Sequence, residues 1–248
     1  MEAHEWKKPQ EKTLRAMADW KRWVMDLGDL LLPRFCPVCG SRLMGNEQCI
    51  CLPCNTQWPR MRLEKIDDNP MLRQMWAYVP VENAFSLIVY RHHSPFHDIL
   101  IDIKYRGATK LGRAMGEWMA AEAVETGLFQ QTDVIVPVPL SRIKMIKRGY
   151  NQARLLSEGI SSRTHLPVKD WLTRIKEHTT QTHLSEEERR LNTAHSFKAK
   201  IPEAEHGQRI LLVDDVFTTG STMTACAQAI LEADPKAQIN IITLACSH

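Results

Sequence analysis

The sequence predicts an α/β protein, with a parallel sheet flanked by helices and a small four-cysteine module ahead of it. Short apolar runs alternate with helical patterns along residues 84–248. This alternation is typical of sheets built from strand–helix–strand units. Two Cys-x2-Cys pairs lie within residues 33–60, a segment too short to bury a core of its own.

Composition narrows the class of protein. The 248 residues, 44% hydrophobic and 25% charged, suit one soluble α/β domain with a small appendage. No apolar run approaches the roughly 20 residues that span a bilayer, and the polar N-terminus does not resemble a signal peptide. We therefore expect a cytoplasmic protein whose seven cysteines are thiols or metal ligands rather than disulfides. The net charge of +3 does not by itself demand a nucleic-acid partner.

The cysteine module has the spacing of a metal site. Cys36 and Cys39 form one pair, and Cys51 and Cys54 form the other. Each spacing directs two thiolates at one ion, and four thiolates complete the tetrahedron that Zn²⁺ prefers. Cys49 could replace Cys51 only with a less regular spacing. Structural zinc is favoured over an iron–sulfur cluster and over metal-free thiols.

The most informative pattern is a strand, a polar loop and a helix between residues 209 and 233. Ile210–Val213 predicts a buried strand, which we expect to end at the carboxylates Asp214 and Asp215. Apolar residues at helical spacing begin at Met223. The small polar residues between the acids and this helix are Thr218, Thr219, Gly220, Ser221 and Thr222.

This pattern suits a ribose 5-phosphate. Backbone N–H groups of the loop and the helix N-terminus attract a phosphate dianion, and Gly220 permits close approach. Asp214 and Asp215 would repel a phosphate, but they accept hydrogen bonds from a neighbouring diol. The segment lacks a P-loop lysine and a G-x-G-x-x-G pattern, which disfavours nucleoside triphosphates and dinucleotides. The alternative is an ordinary strand–turn–helix with surface acids.

A second strand, Asp133–Val138, leads into a proline-rich loop formed by Pro139, Leu140 and Ser141. No acid occurs from 139 to 157, and the basic residues there are Arg142, Lys144, Lys147, Arg148 and Arg154. Because the C-terminal ends of parallel strands share one edge, we expect this loop to lie near the Asp214–Thr222 loop. A pyrophosphate needs such a positive field. The alternative, strongest for Lys144, is a solvated basic helix face.

A polar segment without strand or core periodicity covers residues 175–190. Loops of this length in compact domains are often lids, so we expect it to close over a bound ligand. Arg189 or Arg190 would then reach the pyrophosphate. We expect His178 and His183 to be solvated.

The segment Val213–Thr222 resembles the phosphoribosyl-pyrophosphate (PRPP) loop of type I phosphoribosyltransferases. The order of four features further resembles the competence protein F (ComF) family, from about residue 30 to the end. These are the cysteine pairs, Pro137–Pro139 with Arg148–Gln152, the Gln181–Arg189 stretch and the acid loop.

The resemblance implies a type I phosphoribosyltransferase-like fold, PRPP with Mg²⁺ as ligand, and an association with DNA uptake and transformation. Asp214 and Asp215 are then the candidate catalytic acids, beside the ribose. Thr218–Thr222 would hold the 5-phosphate, and Pro139–Ser141 with Arg148 and Arg189 would flank the pyrophosphate.

Two hypotheses of function follow. The first is a phosphoribosyltransferase that acts on PRPP and a base that the sequence does not identify. The second is a non-catalytic adaptor that binds single-stranded DNA or competence-machinery proteins. It would use the cysteine module, the basic crossover and Trp58 with Arg60 and Arg62. Oligomeric state is left open.

The expected domain organisation has four segments. Residues 1–32 contain an amphipathic helix, which either docks on its own domain or binds a partner. The zinc-binding module covers 33–60, and 61–83 form a linker and the start of a hood. The phosphoribosyltransferase-like domain covers 84–248.

Overall fold

The computed structural model describes residues 33–45, 47, 49–60, 66–90, 97–105, 107–175 and 196–247. It divides the chain into two compact units, one ending at Thr56 and one beginning at Gln57. The first unit therefore ends four residues before the expected end of the cysteine module at residue 60. The expected N-terminal helix and residues 176–190 of the expected lid lie outside the described residues.

The cysteine unit is built from a short turn and one helix. Phe35 and Arg42 form an isolated antiparallel bridge, and the Cys36 amide donates to the Ser41 carbonyl at 2.8 Å. Helix α1 (Leu52–Thr56) follows. The Glu47 carboxylate accepts from the Leu52 amide at 2.6 Å and thereby caps the start of this helix.

The second unit contains the parallel sheet that the sequence predicts. Four strands lie in the order β1-β6-β5-β2, and every neighbouring pair is parallel. The four are β1 (Asn83–Tyr90), β2 (Val134–Pro137), β5 (Arg209–Phe217) and β6 (Gln238–Ser247). Two more strands, β3 (Leu172–Arg174) and β4 (Phe197–Ala199), form a separate antiparallel pair.

Helices flank the sheet. They are α2 (Pro70–Trp76), α3 (His97–Tyr105), α4 (Thr109–Ala123), α5 (Arg142–Arg148), α6 (Gln152–Thr164) and α7 (Ser221–Ala233). Helix α2 lies where a linker was expected. It forms because Asn69 caps its first amides and because Met71, Leu72 and Met75 are buried on one side.

Close backbone approach fixes the packing of α4 on α6. A Cβ atom added at Gly159 would collide with the Arg113 carbonyl oxygen, and one added at Gly116 would collide with the Leu156 carbonyl oxygen. Both helices therefore need glycine at the crossing point. This packing holds helix α6, which begins shortly after the basic helix α5.

Strand β5 runs further than expected. We predicted that it would end at Val213, but its pairing with β6 continues through Asp214 opposite Thr243 and Phe217 opposite Cys246. Ladder hydrogen bonds to a buried neighbour thus outweigh the poor strand propensity of two acids. As a result, the acid pair is held by the sheet rather than by a loop.

Candidate functional site

Two adjacent carboxylates lie at the C-terminal part of β5. The Asp215 carboxylate accepts from the Lys104 ammonium at 3.0 Å, and these side chains are only 15% and 22% exposed. The Asp214 carboxylate accepts from the Asp215 amide at 2.8 Å. Both acids are therefore oriented before any ligand arrives.

The environment of Asp214 disfavours its charge. Burial, followed by the neighbouring charge of Asp215, raises the pKa of Asp214 to about 7. The cations Lys104 and Lys144 act in the opposite direction and lower this pKa. A hydroxyl group that donates to Asp214 would favour the carboxylate, so the site is prepared for a hydrogen-bond donor.

The polar loop begins directly after β5, two residues beyond the acids, and leads into helix α7. Gly220 caps the helix with a left-handed φ of 68°, and a Cβ atom there would approach the Phe217 ring to 2.8 Å. The Thr219 and Ser221 hydroxyl oxygens are 3.1 Å apart. Thr218 is exposed, and Thr222 is half-buried in the first turn of α7. The loop thus gathers hydroxyls and helix N-terminal amides beside the acids.

The proline-rich loop, Pro139–Ser141, lies next to the end of β5, from which the polar loop begins. Pro137 lies opposite Val213 in the sheet, and the Val138 amide donates to the Val213 carbonyl at 2.9 Å. The following residues, Pro139–Ser141, are half-buried, and the Ser141 hydroxyl accepts from the Lys144 amide at 3.3 Å. The structure therefore brings together the two loops that the sequence analysis selected, at one edge of the sheet.

Arg148 is held by two neighbours. Its guanidinium lies 4.9 Å from the centre of the Tyr105 ring, donates to the Tyr105 hydroxyl at 3.3 Å and donates to the Gln152 amide oxygen at 2.8 Å. The Tyr150 hydroxyl donates to the Ile103 carbonyl at 2.8 Å. The Arg148–Gln152 stretch therefore fixes the end of helix α5 against helix α3.

Lys144 is exposed along helix α5, but its ammonium belongs to the same charged group. Partial burial, then the charges of Arg174 and Arg148, lower the pKa of Lys144, whereas Asp215 raises it. Three cations and the acid pair consequently interact in one region. The exposure of the Lys144 side chain itself agrees with the solvated helix face that was the alternative for this residue.

Sequence reasoning missed Lys104 and Tyr105, which contact the acid pair and Arg148. The only signal was their place at the end of a helix followed by Gly107, which has a left-handed φ of 69°. Arg189, a predicted pyrophosphate ligand, lies outside the described residues.

Trp58 is not a platform for stacking a base. It is 4% exposed and stacks on Trp118 with ring centres 4.8 Å apart. Arg60 pairs with Glu122 at 3.1 Å, so this part of the expected DNA-binding patch is occupied by internal contacts. Arg62 lies outside the described residues.

In the cysteine unit, the sulfurs of Cys36, Cys39, Cys51 and Cys54 all lie within 4.8 Å of one another. The Cys39 and Cys51 sulfurs are 3.5 Å apart. Ligands about 2.3 Å from one zinc in a tetrahedron would be about 3.8 Å apart, so the arrangement fits a metal ion. Hydrogen bonds from Ser41 lower the pKa of Cys39 to about 6, whereas burial raises the pKa values of Cys51 and Cys54. Cys49 is not one of these four, as expected.

The fold corresponds to a known class of protein. The phosphoribosyl transferase domain family matches residues 114–248, and the chain belongs to this family. The parallel sheet, its flanking helices and the four-cysteine cluster confirm the predicted fold class.

Individual relatives show which known proteins the chain is clearly similar to. The chain is 27% identical to competence protein ComFC of Bacillus subtilis over 209 residues, which cover 84% of this chain and 76% of that protein. It is 28% identical over 201 residues to DNA utilization protein YhgH of Escherichia coli K12, covering 79% and 83%. These matches confirm the resemblance to the competence protein F family.

Among solved structures, the allosteric regulatory enzyme of purine biosynthesis is 20% identical, with a TM-score of 0.34. The match covers 53% of this chain and only 26% of that enzyme. A search of the described residues for a helix long and apolar enough to cross a membrane finds none.

Proposed function

We propose that the protein binds PRPP with Mg²⁺ and transfers its phosphoribosyl group to a nitrogenous base in the cytoplasm. The observation that carries this proposal is the continuity of the site along one strand and one helix. Asp214 and Asp215 suit the ribose diol, and the hydroxyl-rich loop that follows suits the 5-phosphate. The adjacent Pro139–Ser141 loop, with Lys144 and Arg148, supplies positive charge for the pyrophosphate.

The chemistry needs positioning more than a nucleophile from the protein. The C1–O bond to pyrophosphate breaks, pyrophosphate keeps the electron pair, and a base nitrogen forms the new bond to C1. Mg²⁺ bound with PRPP would supply further neutralisation of the leaving group. The protein holds the ribose by its hydroxyls and the phosphate by amides, and its cations face the charge that develops on pyrophosphate.

Replacing the acid pair tests the proposal. Asp214→Asn with Asp215→Asn should remove charge-assisted hydrogen bonds worth about 1.5–3 kcal/mol each. Affinity for PRPP with Mg²⁺ should then fall at least tenfold, because about 1.4 kcal/mol corresponds to a factor of ten. Calorimetric titration measures the affinity, and release of pyrophosphate with a panel of bases tests for transfer.

The chain provides a matched control. Asp67 and Asp68 are also adjacent acids, and they lie just before helix α2 rather than at the end of β5. Asp67→Asn with Asp68→Asn changes the net charge equally and should leave PRPP affinity unchanged. Equal PRPP affinity in wild type and the Asp214/Asp215 variant, or folded wild type that binds no PRPP, would refute the proposal.

We propose Zn²⁺ as the ion of the four-cysteine cluster. The donors are four sulfurs in two Cys-x2-Cys pairs, and their separation suits tetrahedral coordination. The cluster contains no open position for a substrate, which is typical of a structural site.

A second function, that of a DNA-binding adaptor, is supported by helix α5 and by the similarity to DNA utilization protein YhgH of Escherichia coli. The exposed side chains of Ile143 and Ile146, at 62% and 85%, stand among the basic residues of this helix. Such a surface suits single-stranded DNA, which offers phosphates and base faces. Binding to single strands that weakens steeply with salt and survives in the Asp214/Asp215 variant would support an adaptor role.

A further inference from the structure

One turn of the protein contacts both the acid pair on β5 and the residues at the end of helix α5. It consists of Ile103, Lys104 and Tyr105, at the end of helix α3. Lys104 pairs with Asp215 at 3.0 Å on the ribose side. Tyr105 accepts from Arg148 at 3.3 Å, and the Ile103 carbonyl accepts from Tyr150 at 2.8 Å, both on the pyrophosphate side.

The Lys104 backbone has a firm support. Ile99, Leu100 and Ile103 on the same helix are buried, with at most 3% exposure. A lysine side chain is long, but here the whole side chain is only 22% exposed and that of its partner Asp215 only 15% exposed. An ion pair this shielded is screened by salt less than a surface pair is. It can therefore hold a carboxylate in one orientation.

The acid pair needs such a partner. Two adjacent carboxylates repel each other, and they would also repel a sugar phosphate that carries several negative charges. The groups that interact with Asp214 or Asp215 come from three helices: Lys104 on α3, Lys144 on α5 and Cys226 on α7. Of the described cations, Lys104 is the one in direct contact with an acid of the pair.

We propose that Lys104 is a positioning residue, whose ammonium holds the Asp215 carboxylate so that its other oxygen accepts a hydrogen bond from a ribose hydroxyl. This inference rests on the proposed function, because it assumes that the acid pair binds a ribose. It adds that Lys104 acts through Asp215, not on the ligand.

A direct role would leave a different signature. If Lys104 turned away from Asp215 to contact pyrophosphate, its loss would weaken PRPP and spare ribose 5-phosphate, which lacks pyrophosphate. If it positions Asp215, its loss weakens both, because both present the ribose hydroxyls. Inorganic phosphate, which has no diol, should bind equally in either case.

The experiment compares Lys104→Met and Lys104→Arg with wild type. Calorimetric titration measures PRPP with Mg²⁺ and ribose 5-phosphate, and phosphorus-31 NMR measures inorganic phosphate. In Lys104→Met, affinity for both sugar phosphates should fall about tenfold, the scale of one charge-assisted hydrogen bond, with inorganic phosphate unchanged. Lys104→Arg should recover part of the loss, because it keeps a cation able to bind the carboxylate.

Lys169→Met is the matched control, because Lys169 also pairs with a carboxylate, that of Glu205 at 3.2 Å. It should leave all three affinities unchanged. A loss confined to PRPP, or a Lys104→Met variant that binds ribose 5-phosphate as wild type does, overturns this inference alone. Wild-type protein that binds neither sugar phosphate overturns the proposed function and this inference with it.

Discussion

The cysteine unit and the α/β unit are stabilised in different ways. Among the described residues of the cysteine unit, the buried side chains are Leu43, Ile50 and three of the clustered cysteines. The α/β unit instead buries whole strands, and Ile210–Val213 are completely inaccessible to solvent. The first unit therefore depends on its four sulfurs and the second on packing. Each can be disrupted by a change that leaves the other intact.

The largest effect should follow removal of one sulfur ligand. Cys36→Ser should abolish metal binding and unfold the cysteine unit, because structural zinc contributes on the order of 10 kcal/mol to such modules. The α/β unit should keep its fold and its PRPP affinity. Metal analysis, together with hydrogen exchange over residues 33–56, measures both parts of this expectation.

Cys49→Ser is the control for this experiment, because Cys49 lies outside the four-sulfur cluster. It should retain about one zinc per chain. Loss of the metal in Cys49→Ser, or slow hydrogen exchange across 33–56 in a metal-free protein, would contradict the assignment of ligands.

A smaller effect, confined to the α/β unit, should follow Gly159→Ala. The added methyl group collides with the Arg113 backbone, so helices α4 and α6 must separate. Overpacking of this kind costs about 1–3 kcal/mol. Urea unfolding followed by tryptophan fluorescence measures the cost.

Gly112→Ala provides the comparison on the same pair of helices. A Cβ atom there meets the Leu155 side chain at 3.1 Å, and a side chain can move more easily than a backbone. Its cost should be the smaller of the two. Equal costs would mean that backbone contact at the crossing point does not determine the packing.

Much of this architecture could be predicted because its signals are local. The strand Ile210–Val213, the polar loop through Thr222 and the two cysteine pairs each lie within a short stretch of sequence. General rules place the C-terminal ends of parallel strands at one edge of the sheet, which is why the adjacency of the two loops could be expected.

The contacts that could not be predicted join distant parts of the chain. The pairing of Lys104 with Asp215 requires that helix α3 end beside β5, which no local pattern reveals. The adaptor hypothesis required an exposed Trp58, but Trp118 covers it. The extension of β5 past Val213 likewise depends on the partner strand β6. In each case the sequence does not reveal which distant residue or strand makes the contact.

Burial of Asp214 should destabilise the α/β unit when this side chain is charged. The pH dependence of the free energy of unfolding should therefore reveal its cost. Burial raises the pKa of Asp214 from 3.8 to about 7, so the folded protein holds a proton that the unfolded chain releases between these values. The free energy of unfolding should consequently fall as pH rises through this window, by at most about 1.4 kcal/mol per pH unit. Asp214→Asn should flatten that part of the profile and stabilise the unit above pH of about 7, where the full cost of a buried carboxylate applies.

Asp133 supplies a control with the opposite sign. Hydrogen bonds from Arg209 lower the pKa of Asp133 below its ordinary value of 3.8. Its contribution is present above that value and is lost only as pH falls below it, so Asp133→Asn should leave the slope at neutral pH unchanged. Urea unfolding at intervals between about pH 4.5 and 8 separates the two variants. If the free energy of unfolding of wild type and of Asp214→Asn has the same slope against pH in this range, then burial of the Asp214 carboxylate carries no cost in the free protein.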